Sequence, residues 1–274
     1  VAGASIMPVC FARVQTLHTD ALVLRVVEFG ESDRILHLLT PETAKLTAIA
    51  KGARRSKRRF GGTLDVFNHL RVGVVRRGIS MARLEQAALV SASHEIRRDA
   101  ARYAVACYLI ELLDRLAPEG GARADARRLF SFALSALAAL EARRPDARIR
   151  ALLELRALDA LGLRPELDAC VRCGGGLGAG GVRFHVGEGG PLCAPCRQGV
   201  PEGATVAISL GTLRTLAQGL RFDVQALERL AMPAASIAEA RRLLARFARF
   251  HLGVELQSER FLNEIIPSGE AAAG

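Results

Sequence analysis

The chain has 274 residues, half of them apolar, with 38 basic against 28 acidic side chains and a net charge of +10. That composition excludes a disordered chain and suffices for two or three domains with buried cores. A pI near 10.1 favours nucleic acid or an acidic protein tail over neutral metabolites as partner.

The charge is graded: +6 over residues 1–95, +4 over 96–164 and zero over 165–274, so anion binding is expected in the first half. Residues 1–18 lack the charged start and apolar core of a secretory signal. No stretch reaches the roughly 18 apolar residues of a membrane span. The expectation is a soluble, cytoplasmic protein without a membrane partner, residues 1–18 being a flexible leader or a start misplaced ahead of Met7.

From Ala21 to about Val90 the pattern is β: ALVLRVV, RILHLLT, KLTAIAK, VFNHLRVGVVRR and SMARLEQAALV, broken at Gly30, Pro41, Gly61-Gly62 and Gly78. Five short strands at this spacing suit a small closed barrel. An OB-fold is attractive because its strand face and loops receive nucleic acid, and an SH3-like barrel fits the same pattern.

Past Glu95 the period becomes helical. Helices are expected from about Ala100 to Pro118, Arg123 to Arg143 and Ala147 to Leu161, then near Leu210–Leu220 and Ile237–Leu252. Residues 166–203 between them are Gly-rich and loop-like. The fold class is therefore α+β multidomain: a leader over 1–18, a barrel over 19–95, a helical domain over 96–165 and 204–262, an insert over 166–203 and a flexible tail over 263–274.

The insert carries Cys170, Cys173, Cys193 and Cys196, two C-x2-C knuckles separated by a span that can return as a hairpin, GGVRFHVGEGGPL. Four thiolates make a closed tetrahedral shell suited to one structural zinc ion, with no open position for catalysis. His185, between the pairs, reads as a strand or surface residue. Cys107 reads as core, and Cys10 stands alone. The GLGAGG stretch over 176–181 matches a dinucleotide pattern but follows a knuckle instead of a strand, so it reads as a flexible loop.

Enzymatic motifs are missing. No Lys follows Gly, which excludes a P-loop; no H-E-x-x-H, G-x-S-x-G or Asp-rich two-metal cluster occurs. Glu31 and Asp33 read as solvated turn residues.

The sharpest functional feature is KGARRSKRR, Lys51 to Arg59, with cations at Lys51, Arg54, Arg55, Lys57, Arg58 and Arg59 and no carboxylate. It interrupts the strands instead of forming a tail, and such a run repels itself without an anionic partner. Gly52, Gly61 and Gly62 let backbone approach a ligand. Phe60 offers an exposed stacking face, whereas Phe67 reads as core, and Arg71, Arg76 and Arg77 add charge on a neighbouring strand. No recognition helix is apparent, so binding is expected to be sequence-independent and steeply salt-dependent.

The chain resembles the bacterial RecO family of DNA repair and recombination mediators. The resemblance rests on ALVLRVVEFGESDRIL with TPETAKLTAIAKGARRSK, on Gly61-Gly62 leading into LDVFNHL, and on the two knuckles, the second within GGPLCAPC; it spans about residues 18–262. It implies an N-terminal OB-fold, a helical domain with a zinc insert and no active site. It also implies binding of single- and double-stranded DNA, strand annealing, and work with RecR to help RecA displace the single-strand-binding protein, whose acidic C-terminal tail docks on the helical domain. DNA contacts would fall on Arg34, Lys51 and the Arg54 to Arg59 loop, in a nucleoid-associated protein. Some members lack the cysteines, so zinc is not general to the family's activity. Without the resemblance, an RNA- or ribosome-associated binder and, less favoured, a zinc-dependent nucleic-acid enzyme remain open.

Overall fold

A computed structural model describes residues 14–78, 80–178, 181–253 and 255–266. Five strands, β1 (Val14–Phe29), β2 (Asp33–Thr40), β3 (Ala44–Ala50), β4 (His69–Arg77) and β5 (Ala82–Ser91), close a barrel in the order β1-β2-β3-β5-β4. All neighbours are antiparallel except β3 and β5, which pair in parallel over Ala48↔Ala82 and Ile49↔Arg83. That crossover, with a one-turn helix α1 (Lys57–Phe60) between β3 and β4, is OB-like and decides against the SH3-like alternative.

β1 is long because it serves two neighbours, pairing β4 over Val14–Leu22 and β2 over Leu22–Phe29. Its segment Ala21–Leu24 is buried without alternation because both faces are covered. Ala21 and Val23 point into the barrel with Leu36, Leu38, Ala48 and Val72, while Leu22 and Leu24 join the core of the helical body. A register shift between Val23 and Arg25 then returns β1 to ordinary alternation.

The helical body contains α2 (His94–Arg98), α3 (Ala100–Leu116), α4 (Arg123–Ala142), α5 (Ala147–Ala160), α6 (Leu210–Arg221), α7 (Ala234–Leu252) and α8 (Gln257–Ile265). Asp99, Asp146 and Ser209 cap α3, α5 and α6 by accepting backbone N–H bonds, and Gly253 ends α7 at φ 63°. Inside the body the Tyr108 hydroxyl donates to Glu154 at 2.7 Å, and Arg150 donates to the Ile266 carbonyl at 2.9 Å and to Asn263 at 2.7 Å. Burial pushes the Glu154 carboxyl above its ordinary pKa.

Three expected boundaries move. Residues 14–18, assigned to the leader, form the start of β1 because β4 supplies backbone partners, Val14 opposite Arg77 and His18 opposite Gly73; residues 1–13, with Cys10, lie outside the described residues. The tail expected from residue 263 begins as the end of α8, where Leu262 and Ile266 are buried and Asn263 holds Arg150. The insert's sheet, β7-β6-β8 with β6 (Val182–His185) and β7 (Gly190–Leu192), takes its third strand β8 (Thr205–Ile208) from beyond residue 203.

Candidate nucleic-acid interface and metal centre

The basic segment leaves β3 and folds over the turn between β1 and β2. Asp33 organises it: one carboxylate oxygen accepts the Gly52 N–H at 2.8 Å and the other meets the Lys51 ammonium at 2.8 Å. Gly52 turns at φ 66°, a conformation that favours glycine. The bond from Lys51, with that from Gly52, holds the Asp33 carboxyl below its ordinary pKa. Ser56 caps α1 by accepting the Arg59 N–H, and the Arg59 guanidinium donates to the Lys51 carbonyl at 2.7 Å, closing the loop on itself.

The cations are not bare. Glu28 meets Arg34 at 3.0 Å and Arg54 at 3.5 Å, Glu31 stands 3.9 Å from Arg55, and Arg54 donates to the Ser32 and Glu31 carbonyls through its backbone and side chain. These pairs are solvent-facing, with Arg54 and Arg55 side chains 50% and 77% exposed, so a phosphate can replace the carboxylates at little cost. The structure thus gathers Arg34, Lys51, Arg54, Arg55 and Arg59 around one turn; Lys57 and Arg58 lie in α1. Asp33, read from sequence as solvated, is the loop's anchor, while Glu31 is solvated as expected. Cross-strand register makes the Asp33 and Glu28 partnerships, and only the acidic run before β2 hints at them.

Phe60 is a correction. It is 2% exposed and packs in the barrel core with Leu64, Leu70 and Leu84, leaving no face for a base; the Arg59 guanidinium lies 5.0 Å from its ring centroid. An apolar ring one residue before the Gly pair plugs the open mouth of the barrel, and that burial outweighs exposure. Phe67 is core as expected. Arg71 is engaged by both oxygens of Asp20, and Arg76 and Arg77 end β4 opposite Gln15 and Val14, so these three lie along β4 beside the first half of β1 and are not part of the loop.

In the insert, the Sγ atoms of Cys170, Cys173, Cys193 and Cys196 all lie within 4.8 Å of one another, and Cys173 and Cys193 approach to 3.7 Å. A tetrahedral ion with bonds of about 2.3 Å to sulfur needs S···S edges of about 3.8 Å, so the four residues fit a metal ion. Gly190 permits the knuckles to meet, since a Cβ there would fall 2.7 Å from Val171 Cβ. Arg172 ties them further, donating to the Cys196 carbonyl and to Glu188. Burial would raise the Cys170 thiol, but backbone N–H groups of Cys193, Cys173 and Arg172 outweigh it and bring its pKa to about 6. The bond with Cys193, then that with Cys173, pushes Cys196 up to about 12. Metal ligation takes the cysteines as thiolates, and a bound cation would supply the charge that favours their deprotonation. His185 lies on β6 outside the thiol set, its Nδ1 accepting from the Glu188 N–H.

Barrel, cationic loop, helical body and four-thiol knuckle define a two-part protein: an OB-like module bearing a cationic loop, joined to helices with a candidate metal centre. Residues 14–93 match the family Recombination protein O N terminal, and residues 97–260 match Recombination protein O C terminal. The chain belongs to the recombination protein O family. It is 43% identical over 249 residues to the DNA repair protein RecO of Anaeromyxobacter sp. (strain K), covering 90% of this chain and 95% of that protein. It is 38% identical over 247 residues to the DNA repair protein RecO of Myxococcus xanthus (strain DK1622), covering 90% and 96%. With the DNA repair protein RecO of Geobacter metallireducens it shares 38% over 256 residues, covering 93% and 100%. Among the described residues no helix is long and apolar enough to cross a membrane.

Proposed function

We propose that the chain is a non-enzymatic DNA-binding mediator of repair. It binds single- and double-stranded DNA, anneals complementary strands and, with RecR, helps load RecA onto strands covered by single-strand-binding protein. The observation that carries this reading is the cationic loop beside the β1–β2 turn, where backbone carbonyls hold the Arg54 and Arg59 guanidinium groups while Arg54 and Arg55 pair with exposed carboxylates. Arg groups so placed neutralise phosphates without reading sequence, and masking phosphate charge lowers the repulsion between two strands.

The four thiols hold one zinc ion that folds the insert; a closed shell leaves no position for an activated water. The acidic tail of the single-strand-binding protein suits a cleft of about 590 Å³ in the helical body, lined by Arg143, Arg144, Arg148 and Arg229 over Leu153 and Val224. Glu228, Asp99 and Asp146 already pair with Arg143, Arg144 and Arg148, so the tail must displace them. Arg98, Arg102 and Arg128, other helix-borne arginines, are paired with Glu95 or Asp125.

Annealing of complementary oligonucleotides tests the reading: acceleration by the wild type that a variant carrying Arg54→Ala, Arg55→Ala and Arg59→Ala loses supports it, and no acceleration at any salt contradicts it. A preference for RNA in competition with matched DNA would favour an RNA-binding role.

A further inference from the structure

The outer face of β1, β2 and β3 carries an apolar strip that neither core uses. Strand register sets it in rows. Phe29 stands opposite Asp33, whose carboxylate holds Lys51; Val27 stands opposite Ile35, then Ile49, then Arg83; Arg25 stands opposite His37, then Thr47. Phe29 is 50% exposed and Val27 36%, while Ile35 and Ile49 are half-buried. Phe29 makes no ring contact among the described residues, although Phe67, Tyr103, Phe130, Phe184 and Phe247 each pack edge-on against another ring.

We propose that Phe29 and the Val27–Ile35–Ile49 strip form the platform on which unpaired bases of a single strand stack, giving the barrel a contact with single strands that a duplex does not make. The inference rests on the nucleic-acid reading of the basic loop and names what that site recognises.

Three observations converge on this occupant. The strip is continuous with the cationic loop, because Lys51 belongs to both: its backbone closes the loop through Arg59 and its ammonium sits in the Phe29 row. Cations border the strip, Lys51 beside Phe29, Arg83 beside Ile49 and Arg25 at the far row, each facing a carboxylate that a phosphate would displace: Lys51 meets Asp33 at 2.8 Å, Arg83 meets Glu85 at 3.1 Å, and Arg25 stands 4.0 Å from Asp114, which also holds His37. The strip also lies on the strand face and beside the first inter-strand turn that OB barrels use for oligonucleotides. A duplex keeps its bases stacked on one another, so only its phosphates meet the loop. A single strand adds the platform.

The test compares wild type, Phe29→Ala, Phe29→Trp and a loop variant carrying Arg54→Ala, Arg55→Ala and Arg59→Ala. Each is titrated with oligothymidylate, with an abasic strand of equal phosphate number and with a matched duplex, and its thermal melting is recorded. Phe29→Ala is expected to lose about 5- to 150-fold in affinity for oligothymidylate. It should keep its affinity for the abasic strand and duplex and its salt slope. Phe29→Trp should bind oligothymidylate at least as well as wild type.

Unchanged oligothymidylate binding by Phe29→Ala while the loop variant loses binding would overturn the platform and leave the loop's role standing. Equal losses on all three probes with a lowered melting temperature would make Phe29 a structural residue and overturn the platform too. Failure of the wild type to bind any probe would instead sink the nucleic-acid reading. Retained binding of all probes together with capture of an apolar peptide on this face would assign the strip to a protein partner.

Discussion

Asp33 of β2 and Lys51 at the mouth of the basic loop are joined at 2.8 Å, and the same carboxylate accepts the Gly52 N–H. One short side chain thereby fixes both the turn of the loop and the place where its charge begins. Asp33→Ala is expected to speed amide exchange at Gly52 and the residues after it, leaving the Leu36 and Leu38 amides inside the barrel protected. Because the folded pKa of Asp33 is depressed, its contribution is complete above the ordinary aspartate value of about 4 and is lost as pH falls through the lower folded value. Exchange at Gly52 insensitive to both the substitution and acid would contradict the anchor.

Phe60→Ala is expected to lower stability in urea by about 3–5 kcal/mol, the cost of emptying a buried aromatic site. Single-strand affinity per folded molecule should change little. The opposite pattern, full stability with lost affinity, would return Phe60 to the binding surface.

Cys193→Ser is expected to abolish metal uptake, measured as zinc per chain by elemental analysis, and to open the insert to trypsin at Arg172 and Arg197. A chelator should do the same to the wild type. Oligonucleotide binding by the barrel should survive both treatments, since the four clustered cysteines belong to the insert and not to the barrel. Retained protease resistance without metal would show that the sheet of β6, β7 and β8 folds unaided.

What was legible in the chain followed local pattern. The strands of the barrel, the three helices after Ala100 and the knuckles are written in period and spacing. Elements that depend on partners distant in sequence were not legible. α8 has an ordinary surface composition, and its place is set by Leu262 and Ile266 in the core shared with α3 and by Asn263 on Arg150. Its first N–H groups are capped by Glu111, more than a hundred residues earlier. The site divided the same way: the run of cations is visible as a run, but its carboxylate partners are products of β1–β2 register. Phe60 adjoins the charges yet plugs the barrel, whereas Phe29 ends a hydrophobic strand and still faces solvent.

The most direct test of the account is the salt dependence of single-strand binding, wild type against a variant with Arg54, Arg55, Lys57, Arg58 and Arg59 all changed to Ala. If about six phosphates are neutralised, log affinity of the wild type falls against log salt with a slope of about −4, and removing five cations flattens it by about 3.5. A wild-type slope near zero, or a variant whose slope and affinity match the wild type, would contradict the assignment of the DNA path to this loop.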